Sequence, residues 1–218
     1  MKTTFLKLGL LLTISFAIII FTSCSCDELN PTDNFVIRAT NVYGNTNDII
    51  SVRIGIYSGF TGYVATITKT PFHNNGFTLQ LPATISDNFL SPIIGNFPYN
   101  AIIRGNPNAR WQQSIELVAL NENGNGIGRI YLVGGIDIGN RFGTYARWLY
   151  VDSDFSVVGS GEFYGVRRVV NIDLKRGWNI VYETLSFDND VFVHTMTSQR
   201  PSGMFFWTFS SWEDGFPF

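Results

Sequence analysis

The chain has 218 residues, a net charge of −2, 45% hydrophobic residues, 15% aromatic residues and two cysteines. So mild a charge gives no basic footprint for nucleic acid, and two cysteines fall short of a disulfide framework or a four-ligand zinc corner. The length suits one large domain or two small ones, and it buries a core without staples.

The first predicted element is a targeting segment. Lys2 and Lys7 precede an uncharged run from Leu8 to Phe21, and the small residues Thr22 and Ser23 stand before Cys24. That order of basic end, apolar run and small residues is the pattern of a cleaved export signal. A membrane-spanning helix needs about 20 apolar residues, whereas this run stops after 14.

Phe21, Ser23 and Cys24 resemble the cleavage box of bacterial lipoproteins, with a bulky apolar residue three positions before an invariant cysteine and a small one directly before it. The resemblance implies a diacylglycerol on the sulfur of Cys24, a cut before it and an acylated new terminus. Two or three acyl chains suffice as an anchor, since each buried methylene contributes about 0.8 kcal/mol and stable attachment takes at least two chains. The following Ser25-Cys26-Asp27-Glu28 is similar to the acidic segment of surface-displayed lipoproteins of the Bacteroidota; an ordinary solvated tether reads equally well. The blocks NNGFTLQLPATISDNFLSPI and YVDSDFSVVGSG…DLKRGWNIVYE resemble segments of uncharacterised lipoproteins of that group, and bring no catalytic residues with them. The resemblance implies an outer-membrane location on a lipid anchor.

The expected organisation is therefore a signal over 1–23, a lipidated tether over 24–34 and a β domain over 35–218. Removing the signal takes away two lysines and no acid, leaving 195 residues with a net charge of −4. With Cys24 lipidated, Cys26 has no partner and the domain has no internal disulfide.

From residue 35 onward the periodicity is two. Ile50, Val52, Ile54 and Ile56 alternate with Ser51, Arg53 and Gly55, which predicts a strand over 49–57 with one face on a core. Similar patterns predict strands over 35–42, 62–68, 77–81, 114–119, 129–133, 144–151, 155–158, 166–174, 178–185, 191–197 and 205–210. Short strands between turn residues, with hardly a helical pattern among them, predict an antiparallel β-sandwich or a sandwich-like arrangement. The string NENGNG at 121–126 predicts a hairpin through its Asn-Gly pairs. Ser86 to Leu90 predicts one helical turn capped by Ser86. The Pro- and Asn-rich stretch over 96–110 has no sustained periodicity and reads as a sub-boundary between two halves or as a long loop in one unit.

Few residues point to chemistry. NENGNG superficially matches the start of a calcium loop, yet its twelfth position is Leu132 where a bidentate Glu is needed. Asp152 and Asp154 form a D-x-D turn, the best calcium candidate, with Glu162, Asp188 and Asp190 as partners in space. His73 and His194 stand far apart and read as structural. Gly159-Ser160-Gly161 lacks the spacing of a nucleophile elbow. No cofactor motif occurs, and an enzyme is not the expectation.

Binding is more open. The C-terminal GMFFWTFSSWEDGFPF concentrates aromatic residues; Phe205, Trp207 and Phe209 share one face of a strand and read as core. Trp178, Trp212 and Phe206 are left for the surface, where an aromatic beside Asp or Asn stacks on a sugar ring or anchors a protein partner. The expectation is a binding or assembly module.

Overall fold

A computed structural model describes residues 35–213 apart from 59–61, 94, 99, 114, 138–141, 164 and 189–190. The signal, Cys24 and the tether lie outside the described residues, as do Asp190, Phe216 and Phe218.

The fold is all-β and sandwich-like, in keeping with the alternation in the sequence. Its strands are β1 (Val36–Ala39), β2 (Ser51–Ser58), β3 (Gly62–Pro71), β4 (Phe77–Gln80), β5 (Ser91–Pro92), β6 (Ile102–Gly105), β7 (Arg110–Gln112), β8 (Ile115–Leu120), β9 (Gly126–Asp137), β10 (Phe142–Val151), β11 (Phe155–Phe163), β12 (Val166–Leu174), β13 (Gly177–Asp188), β14 (Val191–Thr197) and β15 (Phe205–Ser211). One 3-10 turn, Asp87–Phe89, stands where the helical turn is predicted; Ser86 precedes it but its side chain makes no capping bond.

Thirteen strands form one hydrogen-bonded network in the order β3-β2-β8-β9-β10-β13-β14-β12-β11-β6, with β15 on β9, β7 on β10 and β5 on β7. β1 and β4 make a separate two-stranded sheet. Among the described strands all pairings are antiparallel except β12 with β14, because β13 goes out to pair β10 and β14 returns between β13 and β12; outside the strands a parallel bridge joins Tyr43 to Thr208 of β15.

A fork at β9 shapes the molecule. One edge of β9 pairs first with β8, through Gly126, Gly128 and Arg129, and then with β10, from Leu132 to Asp137. Between those pairings β8 and β10 part company. The other edge of β9 takes β15, from Gly128 to Gly134.

Side chains alternate between the two faces of a strand, and here both faces find cover. In β10, Ala146 and Trp148 join one apolar cluster with Val52, Ile54, Leu117, Leu132, Tyr182 and Trp207, closed over by the β1–β4 sheet through Ile37 and Leu79. Leu149 and Val151, on the other face, join a second cluster with Phe155, Val170, Ile172, Val181 and Met196. The stretch without periodicity covers that second cluster: Phe97, Ala109 and Trp111 are buried in it, and β6 and β7 pair β11 and β10.

One reading of the strand over 49–57 needs correcting. Ile50 falls just before β2 and is 53% exposed, while Ile49 before it and Ser51 after it are both buried, so the inward face of this stretch is set by Ile49 and Ser51 and passes to Val52 and Ile54 only once β2 has begun.

Two hairpins show why Asn and Gly recur. Asn121 accepts hydrogen bonds through Oδ1 from the backbone N–H groups of Asn123 and Asn125, at 3.1 and 3.0 Å, and Gly124 takes a positive φ of 76°. At the end of β3, Asn74 and Asn75 sit at φ 51° and 57°, the conformation of a tight hairpin turn.

Candidate functional site

Trp212 follows β15 directly and is fixed by its backbone. Its N–H donates to the carbonyl of Ile127 at 3.1 Å, which carries the indole back over the start of β9. There the ring rests against Gly126, where an added Cβ would stand 2.3 Å from its Cη2. Two positions on, a Cβ at Gly128 would meet first the Ser210 backbone carbonyl and then the ring of Phe209, 2.5 Å from Cε2. Neither glycine needs a positive φ. Gly126 is a vacancy for an aromatic ring, although the sequence offers it only as a turn residue in NENGNG; Gly128 makes room for the β15 backbone as well as for a ring.

The indole remains 45% exposed. It forms one wall of an open cleft of about 710 Å³ between the segment leading into β2, the β8–β9 hairpin and the end of β15. Asn45, Asn47 and Asp48 come from the first, Asn121 and Glu122 from the second, Ser211 and Glu213 from the third. Ile50, the residue displaced from the core, adds an apolar edge. An exposed ring beside carboxamides and carboxylates gives a flat apolar platform flanked by hydrogen-bonding groups of both kinds.

The other two surface candidates lie elsewhere. Trp178 is half-buried against the first cluster; its Nε1–H donates to the Pro82 carbonyl at 2.6 Å, and its ring meets Tyr150 edge-on at 5.5 Å. Phe206 is 38% exposed and meets Tyr43 edge-on at 5.7 Å, on the face of β15 opposite Trp207. Neither lines the Trp212 cleft. Trp207 is buried, stacked on Trp148 at 5.6 Å, with Phe205 and Phe209 packed against its cluster.

The D-x-D pair is taken up by cations. Asp152 accepts from the backbone N–H of Arg110 at 2.9 Å, from Arg110 Nε at 2.8 Å and from the Ser153 hydroxyl at 2.9 Å. Burial pushes its carboxyl up, and the bonds from Arg110 and Ser153 outweigh that and hold it below the usual range. Asp154 accepts from the Arg176 N–H at 2.8 Å and faces Lys175 at 3.7 Å. Asp188 pairs with Arg167 on another part of the sheet. Among the described residues no group of three His, Cys, Asp or Glu is placed to hold a metal.

Pattern reading misses a second cluster, at the fork in the sheet. A crevice of about 290 Å³ opens there over Ile54, Leu117 and Trp148 and is rimmed by charge. Arg129 donates from Nε to Glu116 at 2.7 Å; Arg147 donates from Nη1 to Glu183 at 3.2 Å and from Nη2 to the Gln113 carbonyl at 3.2 Å. His194 Nε2 stands 3.6 Å from Glu183. Burial pushes the Glu183 carboxyl up, but the charge of Arg147 and the contact with His194 prevail and bring it down to about 2. Burial pushes the Tyr145 hydroxyl up to about 12, helped by Tyr131 beside it. Glu183, held by Arg147 from β10 and facing His194 from β14, ties three neighbouring strands together at the fork. Glu116, Arg129, Arg147 and Glu183 come from four strands, β8, β9, β10 and β13, and only the strand order brings them together.

Comparison with family models, with curated proteins and with solved structures found no match.

Proposed function

We propose that the mature chain is a lipid-anchored, extracytoplasmic protein of the outer membrane that works by binding, and that its ligand is a glycan stacked on Trp212. The single observation carrying this reading is the exposed indole, seated on Gly126, in an open cleft whose remaining lining is mostly amide, hydroxyl and carboxylate. Sugar rings offer an apolar C–H face with hydroxyls around its rim, and that chemistry matches such a cleft.

The ligand reading is tested on a glycan array with the soluble domain starting near Asn34. Signals that survive EDTA and are lost in Trp212→Ala support it; a blank array removes it. The anchor is tested separately. Cys24→Ala is expected to accumulate uncut precursor and incorporate no labelled fatty acid, and labelling that persists at Cys26 sinks the choice of acceptor.

Assembly by strand addition is the second reading, favoured by β3. Among the described residues β3 is hydrogen-bonded in the sheet on one edge only, to β2. Two register shifts against β2, with Lys69 and Pro71 near its end, blunt that edge in the manner of sheets that avoid pairing. The cleft therefore carries more weight than the edge.

A further inference from the structure

We infer that the Trp212 cleft takes uncharged glycans and turns away acidic ones. This rests on the glycan reading above and adds the class of sugar.

The charged groups of the lining are all of one sign. Asp48, Glu122 and Glu213 contribute three carboxylates, and among the described residues no Lys, Arg or His lines the cleft. None of the three is in an ion pair among the described residues, in contrast to Asp152, Glu116 and Glu183, which each hold an arginine. A site built for uronate, sialate or sulfate needs a guanidinium or ammonium to meet the anion. Here an acidic sugar resting on Trp212 brings its charge toward three like charges instead. Asn45, Asn47 and Asn121 stand among the carboxylates. Amides and carboxylates together accept from sugar hydroxyls, and a neutral ring supplies many such donors.

The magnitude follows from the size of the cleft. Like charges about 9 Å apart in water weaken association about twofold, so three together weaken it about tenfold at low salt. Salt near 1 M shortens the screening length to about 3 Å and removes most of the penalty.

The test compares matched polymers on the full chain in detergent. Pullulan, mannan, laminarin and galactan are assayed by affinity electrophoresis beside the same polymers oxidised at C6 to uronates. The expected result is retention by at least one neutral polymer, about tenfold weaker retention by its oxidised form at low salt, and recovery of the difference at high salt. In the triple variant Asp48→Asn, Glu122→Gln, Glu213→Gln the gap between the two forms is expected to close. Equal or stronger binding of the oxidised form overturns the inference and leaves the glycan reading standing. A gap that persists in the triple variant also overturns it, because the carboxylates are then not the selector. No retention of any polymer in either form overturns the glycan reading itself.

Discussion

Gly126→Ala separates the seat of the indole from the stability of the sheet. The added Cβ lies 2.3 Å from Trp212 Cη2, 2.9 Å from Cζ3 and 3.2 Å from Val118 Cγ1. Ordinary carbon contacts are about 3.5 Å or more, so the ring must retreat by roughly 1 Å. Because the ring is half in solvent and its neighbours are side-chain atoms, the retreat costs the fold little. Ala in place of a strand Gly returns about 0.5–1 kcal/mol of backbone entropy, which offsets the lost ring contact. Urea denaturation is therefore expected to change by less than about 1 kcal/mol. Ligand stacking should suffer more, since a platform displaced by about 1 Å no longer meets a sugar held by Asn45, Asp48 and Glu122; about tenfold in Kd, or about 1.4 kcal/mol, is expected. The assays are a urea titration, binding to the best array hit, and the emission of Trp212 taken as the difference from Trp212→Phe. Unchanged binding with unchanged emission would refute the argument that Gly126 seats the ring. A loss of several kcal/mol in stability would refute the claim that the ring moves at low cost.

The fork and the remaining aromatics give two more predictions. Glu183 has a folded pKa of about 2, below its unfolded value, so its stabilisation is complete above about pH 4.5 and fades as pH falls toward 2. Glu183→Gln is expected to cost about 3 kcal/mol at pH 7, with a difference from the parent that shrinks in acid; parallel pH profiles would show that the carboxylate is not held by Arg147. Trp178→Phe removes the hydrogen bond to Pro82 and should cost about 1–2 kcal/mol of stability while leaving array signals in place; loss of the signals would move the site from Trp212 to Trp178.

How much was legible in the sequence depended on the length of each periodic segment. The long alternating runs, such as 205–210 and 166–174, announce β15 and β12 because a period of two survives over six or more residues. β5, β6 and β7 have four residues or fewer, too short for a period, and their stretch is ordered by burial of Phe97 and Trp111 instead. The Asn-Gly hairpin at 121–126 is legible because the turn chemistry is local. The fork is not: Glu116 and Arg129 stand on two separately predicted strands, and only pairing through β8 and β9 makes them partners at 2.7 Å. Of the three candidate aromatics, Trp212 lines the open cleft, and neither Trp178 nor Phe206 lies in it. Its neighbours in sequence, Glu213 among them, suggested a wet setting, but Asn45 and Asp48 come from more than 160 residues away. Trp178 shows the limit of pattern reading, since its polar nitrogen was satisfied by a carbonyl 96 residues distant.

The most direct measurement is a glycan array run in parallel with the parent domain and with Trp212→Ala. The account predicts binding to one or more uncharged glycans by the parent, unaffected by EDTA, and at least tenfold weaker binding by the variant at unchanged thermal stability. An identical set of signals from the two proteins, or none from either, would contradict it.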